Sequence, residues 1–130
     1  MNSFGSFTIA KRAAAVTAGW LYAAAIAWLS LTPEPVPGPE FAFGDKLQHL
    51  LAYALLMFWF SVLYRGRNAR LACGAGCIAL GVALEFAQAA TSYRSFELAD
   101  MAANVLGVLA GALAALSLPT AAAAGGKEKP

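Results

Sequence analysis

Charged residues are scarce in this sequence. Asp, Glu, Lys and Arg make up only 12% of its 130 residues, whereas 60% are hydrophobic. Soluble domains typically carry about a quarter charged residues. Because so little polar surface is available to cover a soluble globule, the composition argues against a soluble domain and indicates a membrane protein.

Cysteine is also rare, and only Cys73 and Cys77 are present. Residues four apart share one face of a helix, but the backbone separation disfavours a strain-free disulfide. We interpret both as small core residues, with a redox or metal-binding pair as the alternative. The sequence also lacks a serine nucleophile elbow, a P-loop and an HExxH motif, so no signature of these enzyme classes supports catalysis.

Four apolar stretches each have roughly the 20 residues needed to cross a hydrocarbon core about 30 Å thick. They cover residues 13–32, 47–64, 71–90 and 99–118. No internal repeat and no strand-like alternation is visible. The sequence therefore predicts an all-α fold, an integral membrane bundle of four transmembrane helices over residues 13–118. Residues 1–12 form a short N-terminal segment in this prediction, and residues 119–130 form a flexible tail.

Basic residues indicate the orientation of these helices. Seven of the nine lie in the N-terminal segment, the connection after the second span and the tail: Lys11, Arg12, Arg65, Arg67, Arg70, Lys127 and Lys129. The positive-inside rule places these segments, and hence both termini, in the cytoplasm. The first span resembles a signal peptide in its basic start, but it is longer than a signal h-region, so we expect it to be retained.

Polar side chains recur on one face of the second span. Asp45, His49 and Tyr53 are spaced by four residues, which places them on one side of a helix, and Lys46 lies beside them. A lone histidine at such a position is more often an interfacial residue than a catalyst. This face alone therefore does not identify a site.

The third and fourth spans each combine small and polar residues on one face. In the third span this face holds Gly74, Cys77, Gly81, Glu85 and Gln88. In the fourth it holds Asp100, Asn104, Gly107 and Gly111. The glycines predict close contacts between helices, and a carboxylate within an apolar span is costly unless it is paired or protonated. Asp100 has a second interpretation, as the cap of its helix.

These three faces, together with the loop before the fourth span, predict one polar cluster at the outer ends of the helices. Its members are Asp45, Lys46, His49, Tyr53, Glu85, Gln88, Arg94, Asp100 and Asn104. We expect its carboxylates, with that of Glu97, to be compensated by Lys46, Arg94 and His49. The cluster is either an outward-facing ligand pocket or a structural network between helices. Aromatic residues that would meet a ligand or the lipid interface flank it: Phe41, Phe43, Tyr93 and Phe96.

Three strings, GDKLQHLLAYALL, GVALEFAQ and YRSFELADMAANVLGVLAG, resemble the VanZ-like family of small bacterial membrane proteins. They lie within residues 44–112, which also contain the predicted cluster and the packing glycines. The resemblance implies a multi-pass protein of the bacterial cytoplasmic (inner) membrane. The family is named for a member linked to low-level resistance to the glycopeptide teicoplanin, and the resemblance implies no particular reaction.

Two functions fit these residues. The first is a non-enzymatic envelope protein whose outer pocket binds a lipid-linked, cell-wall-related or glycopeptide-like ligand, with a role in glycopeptide resistance as one implication. The second is a membrane-embedded enzyme in which His49 and Glu85 exchange protons with a lipid or cell-wall precursor, while Lys46 or Arg94 holds an anionic group. A metal ion held by Asp45 and His49, with further oxygen donors from Glu85 and Asp100, is a weaker variant. We expect membrane lipids as partners, no nucleic acid, no cofactor and no metal.

Overall fold

A computed structural model describes residues 3–118 of the chain. The predicted tail, residues 119–130, lies outside the described residues. Within residues 3–118 the structure has four helices and no strand: α1 (Ser3–Leu31), α2 (Gly44–Leu63), α3 (Arg67–Ala89) and α4 (Leu98–Leu116). The prediction of an all-α chain with four long helices is confirmed.

Each helix is long and apolar enough to cross a membrane. The candidate spans are Thr8–Leu31, Gly44–Leu63, Arg67–Ala89 and Leu98–Leu116. At 1.5 Å per residue even the shortest of them is about 28 Å long. Helix α1 begins ten residues before the predicted first span and contains Lys11 and Arg12, which are good helix formers and do not interrupt it. The two basic residues therefore mark the start of the apolar stretch, but the helix itself begins earlier.

The connections between helices follow from proline and glycine. A segment with four prolines, at positions 33, 35, 37 and 39, follows α1 and cannot continue its hydrogen bonding. The connection from α2 to α3 is short, and Gly66 is the extended N-cap residue of α3. Short connections place consecutive helices side by side in opposite directions.

Helices α2 and α4 run in the same direction, while α1 and α3 run opposite to them. Gly107 and Gly111 of α4 lie against Leu50 and Ala54 of α2 in the same order. The bundle therefore has two distinct ends. We call the end where α2 and α4 begin the polar end, and the end where α2 finishes and α3 begins the basic end.

The contact between α2 and α4 depends on two glycines. A methyl group added at Gly107 would overlap the carbonyl oxygen of Leu50 and lie 3.0 Å from its carbonyl carbon. One added at Gly111 would overlap the carbonyl oxygen of Ala54. The two backbones are therefore in direct contact, and α4 packs mainly on α2.

The two other predicted packing glycines have looser surroundings. A methyl group at Gly81 would lie 3.2 Å from the side-chain nitrogen of Asn104 and 3.3 Å from the ring of Tyr53, which is tight. One at Gly74 would lie 3.6 Å from the methyl carbon of Met57, an ordinary contact. Close approach of backbones is therefore concentrated between α2 and α4.

The core is apolar, and so is much of the outer surface. Tyr53, Leu56, Met57 and Phe60 of α2 are buried, and Cys77 lies in the same cluster as a free thiol. Large exposed side chains occur on every helix: Trp20, Trp28, Leu51, Leu55, Leu71, Phe86, Leu106 and Leu113. Soluble monomers rarely expose so large an apolar surface, whereas a bilayer would cover it.

Candidate functional site

Lys46 is the centre of a group of polar residues at the polar end. Its ammonium nitrogen lies 2.7 Å from Asp45 Oδ2 and 2.7 Å from Asp100 Oδ1, and it also pairs with the carboxylate of Glu97. The contact with Asp100 lacks the alignment of a hydrogen bond and is an ion pair. One cation from α2 is thus surrounded by three carboxylates, two of them contributed by the start of α4.

His49 lies one helical turn further along α2 and joins the same group. Its Nδ1 is 3.0 Å from Asn104 Oδ1, and its Nε2 is 3.7 Å from Asp100 Oδ2. Asp100 therefore contacts both Lys46 and His49 with its two oxygens. We call the residues that meet here the Lys46 cluster: Asp45, Lys46, His49, Glu97, Asp100 and Asn104.

Glu85 fixes the backbone where α4 begins. Its side chain is only 1% exposed, and its Oε1 accepts a 2.6 Å hydrogen bond from the backbone N–H of Glu97. Glu97 is the N-cap residue of α4, and its own side chain makes no capping hydrogen bond. Asp100 lies in the first turn of α4, where its charge suits the helix dipole as the capping alternative expects, and its carboxylate also pairs with Lys46 and His49. Through this hydrogen bond Glu85 positions Glu97, whose carboxylate pairs with Lys46.

Gln88 and Arg94 belong to a second group, at the end of α1. Gln88 donates a 2.8 Å hydrogen bond to the carbonyl of Ser30, and Tyr93 donates one of 2.8 Å to that of Leu31. Arg94 donates to the carbonyl of Thr32 from Nε at 3.2 Å and from Nη2 at 3.0 Å. These carbonyls would otherwise lack partners, and a cation suits the negative end of a helix.

The predicted single cluster is therefore divided in two. Arg94 contacts backbone carbonyls of α1 and the loop after it, and its guanidinium makes no ion pair among the described residues. We call Gln88, Tyr93 and Arg94 the α1 cap. Tyr53, also predicted as a member, lies in the apolar core beneath the Lys46 cluster.

Three carboxylates of the Lys46 cluster lie close enough to hold a cation. One oxygen from each of Asp45, Glu97 and Asp100 lies within 4.8 Å of the others. This set differs from the metal variant considered for the sequence, because Glu97 takes the place of His49 and Glu85. The ammonium of Lys46 already binds all three carboxylates, so a metal ion would have to displace it.

The charge of the Lys46 cluster is unbalanced. Three carboxylates face one ammonium group, and the side chains of Asp45 and Glu97 remain 58% and 47% exposed. The site therefore presents negative charge and hydrogen-bond acceptors to its surroundings. Lys46 and Arg94 are engaged with acceptors of the protein, which leaves both poorly placed to hold an anion.

Glu97 is the member of the Lys46 cluster that the helical-face argument leaves out of the predicted cluster. It precedes α4, so it has no place on a face counted within the span. Its spacing of three from Asp100 is the signal that would have included it, because residues three apart lie on the same side of a helix. Comparison with protein-family models, curated proteins and solved structures finds no match for this chain.

Proposed function

We propose that this chain is a multi-pass protein of the bacterial cytoplasmic membrane, similar to the VanZ-like family, with α1 to α4 as transmembrane helices and both termini in the cytoplasm. Support comes from the length of the helices and from their exposed apolar side chains. Arg65, Arg67 and Arg70 all lie at or near the basic end, as the positive-inside rule requires of a cytoplasmic face. The polar end then faces the outside.

At that outer face the Lys46 cluster binds an envelope ligand through a cationic group. The observation that carries this proposal is the convergence of Asp45, Glu97 and Asp100 on a single lysine, with two of the carboxylates half exposed. A ligand ammonium group gains Coulomb attraction and charge-assisted hydrogen bonds there. The ligand classes that fit are lipid-linked, cell-wall-related or glycopeptide-like molecules that carry an amino group.

A purely structural role explains these carboxylates less well. Ion pairs between exposed side chains contribute only about 0–1 kcal/mol, and Asp45 and Glu97 are such side chains. Helices α2 and α4 are already held by backbone contact at Gly107 and Gly111. Packing therefore does not require three carboxylates around one lysine.

The enzymatic alternative has less support in its original form. Glu85 is buried and its Oε1 accepts the N–H of Glu97, so it serves the backbone rather than a substrate. The pair that the geometry brings together is His49 and Asp100, at 3.7 Å. Acid–base chemistry in this protein would use that pair, with the carboxylate orienting the imidazole.

Binding to the purified full chain tests the proposed function. The probes are teicoplanin and a lipid-linked peptidoglycan precursor, each measured against wild type, Glu97→Gln and Glu40→Gln. Glu40 is an exposed carboxylate in the connection between α1 and α2, outside the Lys46 cluster, so it is a matched control. We expect at least one probe to bind wild type and Glu40→Gln and to bind Glu97→Gln more weakly. Equal affinity of that probe for all three proteins, or no binding of either probe, would contradict the proposal.

A further inference from the structure

An apolar cleft lies between α1, α2 and α3, toward the end of the bundle opposite the Lys46 cluster. Its volume is about 690 Å³, within the range of about 300–1,000 Å³ typical of small-molecule sites. Its larger side chains are Trp20 of α1, Phe60 of α2, Tyr64 just after α2, and Leu80 of α3. The lining is almost entirely apolar, so the cleft suits a hydrocarbon group.

Small residues keep this cleft open. Ala23, Ala24 and Ala27 of α1 face Ala72 and Gly76 of α3 across it. A methyl group added at Gly76 would meet no atom within 4 Å. The space beside Gly76 is therefore open and can be occupied by an atom of another molecule.

The length of the cleft matches part of one bilayer leaflet. On α2 its lining runs from Leu56 to Tyr64, which is about 12 Å at 1.5 Å per residue. A hydrocarbon core is about 30 Å thick, so one leaflet supplies about half of that. The cleft ends at Tyr64, the residue that follows α2 at the basic end.

The mouth of the cleft is positively charged. The guanidinium of Arg12 lies 5.3 Å from the centre of the Tyr64 ring. The sequence has no acidic residue before Glu34 or between Asp45 and Glu85. Neither of these segments therefore supplies a carboxylate that would neutralise Arg12. Basic residues beside a membrane attract anionic lipid headgroups.

We propose that this cleft holds one acyl chain of an anionic phospholipid, with the lipid phosphate beside Arg12. The inference rests on the proposed insertion of the four helices in a membrane, but it does not depend on ligand binding at the polar end. The apolar lining accommodates the hydrocarbon chain, and the charge at the mouth selects the headgroup. A zwitterionic lipid of the same chain length lacks the net charge that Arg12 would attract.

Lipid retention by the full chain tests this proposal. The protein is reconstituted into vesicles of equal parts phosphatidylglycerol and phosphatidylcholine with identical acyl chains, extracted in mild detergent, and examined by native mass spectrometry. We expect one retained phosphatidylglycerol per chain. Gly76→Leu should lose it because the new side chain fills the cleft, whereas Ala75→Leu, at an exposed position of the same helix that does not line the cleft, should keep it. Arg12→Gln should lose the preference for phosphatidylglycerol.

Several results would overturn the proposal. They are equal retention by wild type and Gly76→Leu, equal retention of the two lipids by wild type, or a second copy of the chain in place of lipid. If Gly76→Leu fails to fold, Ala24→Leu fills the same cleft from α1, and it should likewise lose the retained lipid. Alkaline extraction of the membranes separates this inference from the proposed function. A chain that stays in the membrane but retains no lipid contradicts the cleft alone, whereas a chain released by alkali contradicts the membrane proposal itself.

Discussion

Gly107→Ala is expected to weaken the packing of α2 against α4. The added methyl group would overlap the carbonyl oxygen of Leu50 and lie 3.0 Å from its carbonyl carbon, inside the 3.4 Å at which ordinary contacts begin. The neighbouring atoms belong to backbone, so they can move only if the helices separate. Overpacking of this kind typically costs about 1–3 kcal/mol.

The control is the same substitution at an open position. Gly76→Ala places its methyl group where no atom lies within 4 Å, and replacing glycine by alanine inside a helix contributes up to about 1 kcal/mol through helix propensity. We therefore expect Gly107→Ala to be destabilised and Gly76→Ala to be unchanged or stabilised. The two variants differ only in what surrounds the added methyl group.

Unfolding of each purified variant in mixed detergent micelles, followed by circular dichroism, measures this difference. Wild type and Gly76→Ala should unfold at similar denaturing-detergent fractions, and Gly107→Ala at a lower one. Equal midpoints for Gly107→Ala and Gly76→Ala would refute the backbone contact between α2 and α4.

The remaining predictions concern orientation and the two polar groups. Reporter fusions at residue 68 and at the C-terminus should report the cytoplasm, and fusions at residues 38 and 95 the outside; a periplasmic signal from residue 68 would refute this orientation. Arg94→Ala should lower stability in detergent by about 1 kcal/mol, because carbonyls at the end of α1 lose their donor, yet leave probe binding per folded molecule unchanged. Lost binding with unchanged stability would instead place Arg94 in the binding site. Glu85→Leu should cost about 1–3 kcal/mol, because the N–H of Glu97 loses its buried acceptor, and Glu85→Gln should cost less because it keeps a carbonyl oxygen. Identical melting temperatures for the two Glu85 variants would contradict that role.

The helices were predictable because their information is local. Apolar runs between prolines, glycines and charges mark α2, α3 and α4 to within a few residues of their ends. Helical spacing also brings Asp100, Asn104, Gly107 and Gly111 to one face, and all four are buried in the structure. Helical periodicity in the sequence predicts which residues share a face, even though it does not predict which helix packs against that face.

The division of the polar residues was not predictable in the same way. Spacing places Gln88 and Glu85 on one face of α3, but it does not say which neighbouring helix each of them meets. Gln88 reaches the end of α1, whereas Glu85 reaches the start of α4. Arg94 has a long side chain in a loop, and its direction depends on where α1 ends. Such contacts depend on how whole helices are rotated and tilted relative to one another, and the residue pattern of one helix does not specify this.

The charge preference of the Lys46 cluster tests the proposed binding most directly. An alkylammonium amphiphile and an alkyl sulfate of the same chain length are titrated calorimetrically into wild type and into an Asp45→Asn/Glu97→Gln double variant, at low and high salt. The account predicts that wild type binds the ammonium probe more tightly than the sulfate, that added salt weakens this preference, and that the double variant loses it. A wild type that binds the sulfate equally well or better, or a double variant that keeps the ammonium preference, would contradict the account.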